Sequence, residues 1–226
     1  MTDTAQPPSP TKEIPQGPPP RDIPYPGLFR AARADLTLLC RGNNSFPRRV
    51  IAFFTNRGFQ ALFLYRLARS LTRMHIPLLP LIFSRIAQTL YAVDISPLAQ
   101  LGPGIALVHC FGIVVGSATR IEGDCVIFHG VTFGDRGSEW VGDTIPDGHP
   151  YIEKSCMFGA GAKILGPITI GKNSVIGANA VVIKPVPPNS VAAGMPAKVI
   201  SQRPEMDQNL RPIHGHRTKL ENNTKN

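Results

Sequence analysis

Aliphatic or small residues recur at every sixth position along two stretches of the chain. Ile95, Leu101, Leu107, Ile113, Thr119, Cys125 and Val131 form the first; Ile152, Phe158, Ile164, Ile170, Ile176 and Val182 form the second. A period of six matches neither the helical turn of 3.6 residues nor the two-residue alternation of a strand. It predicts a coil of short strands wound around a prism, with each six-residue unit sending one side chain inside. Glycines beside the anchors, as in Leu101-Gly102, Ile170-Gly171 and Ile176-Gly177, suit the tight corners such a coil needs.

The register breaks once, between Val131 and Ile152. The excursion over residues 134–150 holds the only Trp and four of the seven acidic residues between 95 and 200. Long loops thrown from a rigid scaffold are often functional, and Trp140 with His149-Pro150 predicts an ordered flap. Upstream, Phe59, Leu62, Phe63, Arg66, Leu67 and Leu71 recur at spacings of three and four, the pattern of a helix. The expected organisation is a disordered Pro-rich lead-in (1–27), an α-helical domain (28–92), the coil (93–200) and a flexible tail (201–226). The apolar segment 76–83 is too short and too interrupted by prolines to span a membrane. Packing against the coil or another subunit is expected of it, with shallow membrane contact the lesser reading.

Charge adds one constraint. The net charge is +9, and residues 1–94 hold twelve Lys/Arg against five Asp/Glu while the coil is balanced. A basic helical face suits an anionic surface or plain solvent, and no nucleic-acid motif accompanies it. The chain opens with no signal-peptide pattern, and its four cysteines show no metal spacing. A reducing cytoplasm is therefore expected.

Three histidines carry the candidate chemistry. His109 follows the anchor Leu107 by two places, and a neutral imidazole there can take a proton from a hydroxyl. Asp94, fifteen residues earlier, falls about one rung away and is a candidate to orient it; capping the junction between helices and coil is the competing role. His149 stands where the flap rejoins the coil, and His129 lines either a cleft or a corner. The small residues of 158–166, with Lys163, Lys172, Lys184 and Lys198, suit a long, thin, phosphate-bearing ligand. No dinucleotide or nucleoside-triphosphate fingerprint occurs.

Several stretches together resemble one family. They are Val93-Asp94-Ile95-Ser96-Pro97, His109 with Gly112-Ile113-Val114-Val115-Gly116, His129-Gly130-Val131-Thr132, Gly148-His149-Pro150, the run 159–166, and Val186-Pro187-Pro188 through Gly194-Met195-Pro196-Ala197. Over roughly residues 28–200 the chain is similar to serine acetyltransferase-type hexapeptide-repeat acyltransferases. The resemblance implies a mainly β fold, a left-handed parallel β-helix preceded by a small α-helical domain, assembled as a homotrimer or a dimer of trimers. It implies acetyl-CoA as co-substrate, held by Gly134, Gly161, Ala162, Lys163, Ala180 and Lys184, with no metal. His109, oriented by Asp94, would deprotonate the acceptor, and His149 would hold the acceptor or the developing charge. Val108, His129, Arg136 and Gly148 would surround the acceptor.

Two departures bear on that acceptor. Serine acetyltransferases typically carry Asp before the first histidine and Arg before the second; here these are Val108 and Gly148. A site built for a zwitterion does not lose both charges cheaply. The pattern resembles relatives that acetylate exopolysaccharide sugars or lipid-linked precursors, as in colanic-acid-type enzymes, so a glycan acceptor at the inner face of the membrane is the first expectation. L-serine is the second, with Arg136 supplying one missing charge. A non-catalytic scaffold is the third. A three-histidine zinc site is disfavoured because the histidine spacings of 20 do not match a turn of about 18 residues. The sequence ends in Asn222-Asn223-Thr224-Lys225-Asn226, unlike the Ile-ended tails that dock into cysteine synthase, so that partnership is not expected.

Overall fold

A computed structural model describes residues 22–40, 45–136 and 148–204. Four helices come first: α1 (Leu28–Leu39), α2 (Phe46–Thr55), α3 (Arg57–Arg73) and α4 (Leu79–Tyr91). Asn56 starts α3 by accepting the Phe59 N–H on its side-chain oxygen at 2.8 Å, the usual way to satisfy an orphan first-turn donor. Ala92, in a left-handed conformation, ends α4 and turns the chain into the coil.

The coil is a left-handed prism of three parallel faces. The first stacks β1 (Val93–Ile95), β4 (Ile113–Val115), β7 (Thr132–Gly134), β10 (Lys163–Leu165) and β13 (Val181–Val182). The second stacks β2 (Gln100–Leu101), β5 (Arg120–Ile121), β8 (Tyr151–Ile152) and β11 (Thr169–Ile170). The third stacks β3 (Ile105–Val108), β6 (Cys125–Phe128), β9 (Met157–Phe158), β12 (Val175–Ile176) and β14 (Ser190–Gly194), and β15 (Ala197–Gln202) closes it as an antiparallel edge.

All thirteen anchors are buried, but they do not form single columns. Register places Ile95 under Val115, then Phe133, Ile164 and Val182, whereas Ile113 and Val131 belong to a second inward layer two residues behind. The cause is one long corner. Val108 pairs with Phe128, twenty residues on, yet Val114 pairs with Thr132, eighteen on. The corner after Val108 therefore carries two more residues than the corner above it, and the six-residue count slides from one inward layer to the other there.

The helical region is fastened to the first turn of the coil by side chains of α3. Arg66, fully buried, donates to Leu101 O and to Gly102 O (2.7 Å) and pairs with Asp35 at 3.2 Å. Asp35 in turn accepts the Gly104 and Ile105 N–H groups at 2.9 and 2.8 Å. Tyr65 donates to Ala99 O, and Arg69 to Pro97 O and Leu98 O. These partners are the backbone groups an open end of a stacked coil leaves unpaired. Gly58 lets α3 abut the coil: a Cβ there would stand 2.1 Å from Leu107 O.

The segment 76–83 enters α4, where Pro80 is buried while Leu78, Leu81 and Ile82 are exposed. Among the described residues no helix is long and apolar enough to cross a membrane. The lead-in to residue 21, residues 137–147 of the flap (Trp140 among them) and the tail beyond 204 lie outside the described residues.

Replacing Arg66 by Leu leaves the Asp35 carboxylate and two carbonyls buried without their partner. The expected loss is about 3–5 kcal/mol of unfolding free energy, read from urea denaturation of wild type and variant side by side.

Candidate active site

The long corner after β3 carries His109. Its backbone is left-handed at φ 50°, the conformation that Asp124, Ser155, Asn173, Asn179 and Asn189 also take in the coil. The corners above it are held in register by Gly112 N–H to Ala92 O, Gly130 N–H to Phe111 O and Gly161 N–H to His129 O, each at 2.8 Å. That stack brings His129 one rung above His109, with ring centroids 6.1 Å apart, edge to face. The equal spacings of 20 read from sequence are thus not equivalent: the first is a full turn, because of the two extra corner residues, and the second is not. Lys163 steadies the same corner, donating from Nζ to Gly130 O at 2.6 Å and Thr132 Oγ1 at 3.1 Å.

His149 is at the other end of the first face. Gly116, just past β4, has no Cβ; one there would stand 2.2 Å from His149 Nε2. From Gly112 to Gly116 the extended chain advances by four residue steps, about 13 Å. Gly148, Gly134, Arg136 and Lys184 lie at this second corner with His149. Arg136 reaches Ile183 O at 3.4 Å, beside the exposed Lys184, so in one chain it serves the far corner rather than the surroundings of His109. Val108, Gly161 and Ala180 belong to the His109 side. Ala162 and Ala180 are fully buried in the prism, with their amides and carbonyls hydrogen-bonded inside the coil, and Lys163 is committed to its corner.

Asp94 sits mid-face on β1, exposed, opposite Val114 on the next rung. Its Oδ1 accepts from Gln88 Nε2 of α4 at 2.8 Å; the orienting bond to His109 is not among those formed by the described residues. Gln88, missed in the sequence, carries no signal there beyond its helical position. Also missed was a cavity of about 430 Å³ beside His109. Residues 55–58, where α2 passes into α3, form one wall; Leu107, His109, Cys110 and Phe111 form the other.

Chemically, the corner offers an exposed imidazole over a polar cavity. Cys110 is no competitor as nucleophile: burial pushes its thiol up from an ordinary 9.0 to about 11, against a smaller downward pull from the Arg57 guanidinium. Among the described residues no three His, Cys, Asp or Glu side chains gather to hold a metal; His109 and His129 are neighbours, and His149 is a face away.

Comparison with known proteins agrees with the fold. Residues 149–184 match the family model "Bacterial transferase hexapeptide (six repeats)". The chain is 42% identical over 195 residues to the serine acetyltransferase of Salmonella typhimurium, covering 84% of this chain and 70% of that one. Its structure superposes on serine acetyltransferase of Brucella abortus in complex with coenzyme A with a TM-score of 0.70 at 34% identity, covering 77% and 68% of the two chains. Soybean serine acetyltransferase complexed with serine gives 0.70 at 36% identity, covering 78% and 70%.

All four cysteines are free and buried. At pH 8 a thiol with its pKa near 11 has roughly a hundredfold less thiolate than an ordinary one, and thiolate rises only as pH approaches 11. Native protein treated with iodoacetamide at pH 8 is therefore expected to keep Cys110 unmodified by mass spectrometry; prompt alkylation there would contradict the buried site.

Proposed function

The chain belongs to the serine acetyltransferase family of hexapeptide-repeat transferases, and from that premise we propose that it is an acetyl-CoA-dependent O-acetyltransferase with L-serine as acceptor. The observation that carries the reading is His109, exposed on a long corner beside a polar cavity. The imidazole takes the proton of the acceptor hydroxyl as that oxygen attacks the thioester carbonyl. It then returns the proton to the departing CoA sulfur, so atoms and charge balance with no covalent enzyme intermediate. General-base help of this kind is worth about 10²–10⁴-fold in rate. Two cations at the second corner, Arg136 and Lys184, suit the phosphates of CoA.

The placement of the histidines supports a ring assembly, which we take to be a homotrimer. His109 and His149 occupy opposite corners of one face, so a site containing both requires the His109 corner of one copy against the His149 corner of the next. Cyclic assembly of such heterologous contacts closes a ring.

A second reading of the acceptor keeps one specific support. Val108 is half-buried at the foot of the His109 corner and Gly148 stands beside His149, and neither supplies the charge a serine zwitterion meets. A sugar hydroxyl needs neither charge. The serine acetyltransferases compared above move L-serine ahead of the sugar and lend no support to an exopolysaccharide role.

CoA release from acetyl-CoA with L-serine as sole acceptor tests the proposal. His109→Ala is expected to lower kcat by about 10²–10⁴-fold while the protein still binds CoA; undiminished turnover would end the mechanism. Silence of the wild type with serine, alongside turnover with a sugar, would establish the second reading.

The shared site has its own check. His109→Ala and His149→Ala chains are each expected to be inactive alone. Co-expressed, they should regain about a quarter of wild-type activity, because mixed trimers contain some sites with both histidines. No recovery would place both in one chain's site.

A further inference from the structure

Arg57 is the one charged side chain among those lining the cavity beside His109. It opens α3, is exposed, and donates from one terminal nitrogen to Leu90 O at 3.2 Å, which occupies one of the five N–H groups a guanidinium carries. The first turn of α3 holds no acidic residue, so the partial positive charge of the helix start adds to that of the guanidinium. The guanidinium's field is felt across the cavity, since it draws the Cys110 thiol back against the effect of burial. The other cations of the first face have other roles: Lys163 is bound to Gly130 O and Thr132 Oγ1, and Arg136, which reaches Ile183 O beside Lys184, is assigned with it above to the phosphates of CoA. At about 430 Å³ the cavity is large enough for a small metabolite or one sugar ring.

We propose that this cavity binds the acceptor and that Arg57 determines its specificity, receiving a carboxylate on the acceptor so that the hydroxyl lies at His109. The inference rests on the acetyltransferase reading above and deepens it. The planar guanidinium matches a carboxylate with two parallel N–H···O bonds, which a lysine does not reproduce. Binding charge in the α2–α3 junction removes the need for an arginine at position 148. Two kinds of acceptor share the required chemistry, an amino acid and an acidic sugar, and both carry a carboxylate near a hydroxyl.

Steady-state kinetics on full-length wild type, Arg57→Gln and Arg57→Lys separate the cases. The acceptors are L-serine and D-glucuronate, with ethanolamine and D-glucose as counterparts lacking the carboxylate. Arg57→Gln is expected to raise KM for the carboxylate acceptor about 10- to 100-fold with kcat changed only a few-fold, and Arg57→Lys to recover part of the loss. KM for the carboxylate-free counterpart should not move. Which of the two carboxylates responds identifies the source. Equal changes for acceptors with and without the carboxylate, no change for either, or turnover confined to ethanolamine or glucose would overturn the proposal. If no acceptor is acetylated by protein that binds CoA, the acetyltransferase reading fails, and calorimetric titration of L-serine and D-glucuronate decides this inference alone. Binding lost in Arg57→Gln sustains it; no binding of either carboxylate to the wild type overturns it.

Discussion

The open lower end of the coil is the constraint on which the rest of the structure depends. A stacked parallel coil pairs every interior strand but leaves its first turn with unanswered carbonyl and amide groups. Here a buried guanidinium answers them. Arg66 spans Leu101 O and Gly102 O on one side and Asp35 on the other, and Asp35 closes the circuit through the Gly104 and Ile105 amides. Burying a charge is costly unless it is paired and its hydrogen-bonding groups are used; this one meets both conditions. The clamp fixes α1 and α3 against the first turn, and the contact at Gly58 and Leu107 follows from it. The cavity at His109 is the gap left between a helix start and a coil corner held at that distance.

The six-residue repeat was legible because each anchor is chosen by the same force, exclusion of an apolar side chain from water, repeated at fixed spacing. What the repeat concealed was a local change of length. A corner with two extra residues leaves the inward pattern unbroken, since a strand sends both i and i+2 inside; Ile113, Thr119, Cys125 and Val131 stay buried while changing layer. The neighbourhood of His109 and His129 was therefore misjudged from spacing alone. The clamp was hidden for a different reason. Arg66 falls on the apolar stripe of α3, and its partners are an aspartate 31 residues away and backbone carbonyls that have no sequence signature. Asp94 is the converse: its position on the first rung was readable, but the Gln88 amide that holds it belongs to another element.

Chemistry in this fold is confined to corners. The faces are flat and their inward positions are filled, with Ala162 and Ala180 wholly inside the prism. Corners are where the chain can lengthen, take a left-handed residue or throw a loop without disturbing the stack. The His109 corner does the first two, and the excursion between β7 and β8 does the third. A base at one corner and a second histidine at the other give a single chain two half-sites, which explains why assembly and catalysis are bound together in the proposed trimer.

The same division bears on how acceptor choice changes within such a scaffold. The residues that deliver the proton step, the corner and its stack of glycines, are tied to coil register, and altering them disturbs several rungs at once. The wall opposite them is the junction of α2 and α3, whose side chains contribute little to the clamp. Arg57 is exposed and sits beyond the residues that fasten α3, so a change there alters the charge of the cavity and leaves Tyr65, Arg66 and Arg69 in place. Val108 and Gly148 need no compensating partner in the coil if the acceptor's charge is met from that wall. Specificity is then free to drift on the helical side while the base stays fixed on the coil.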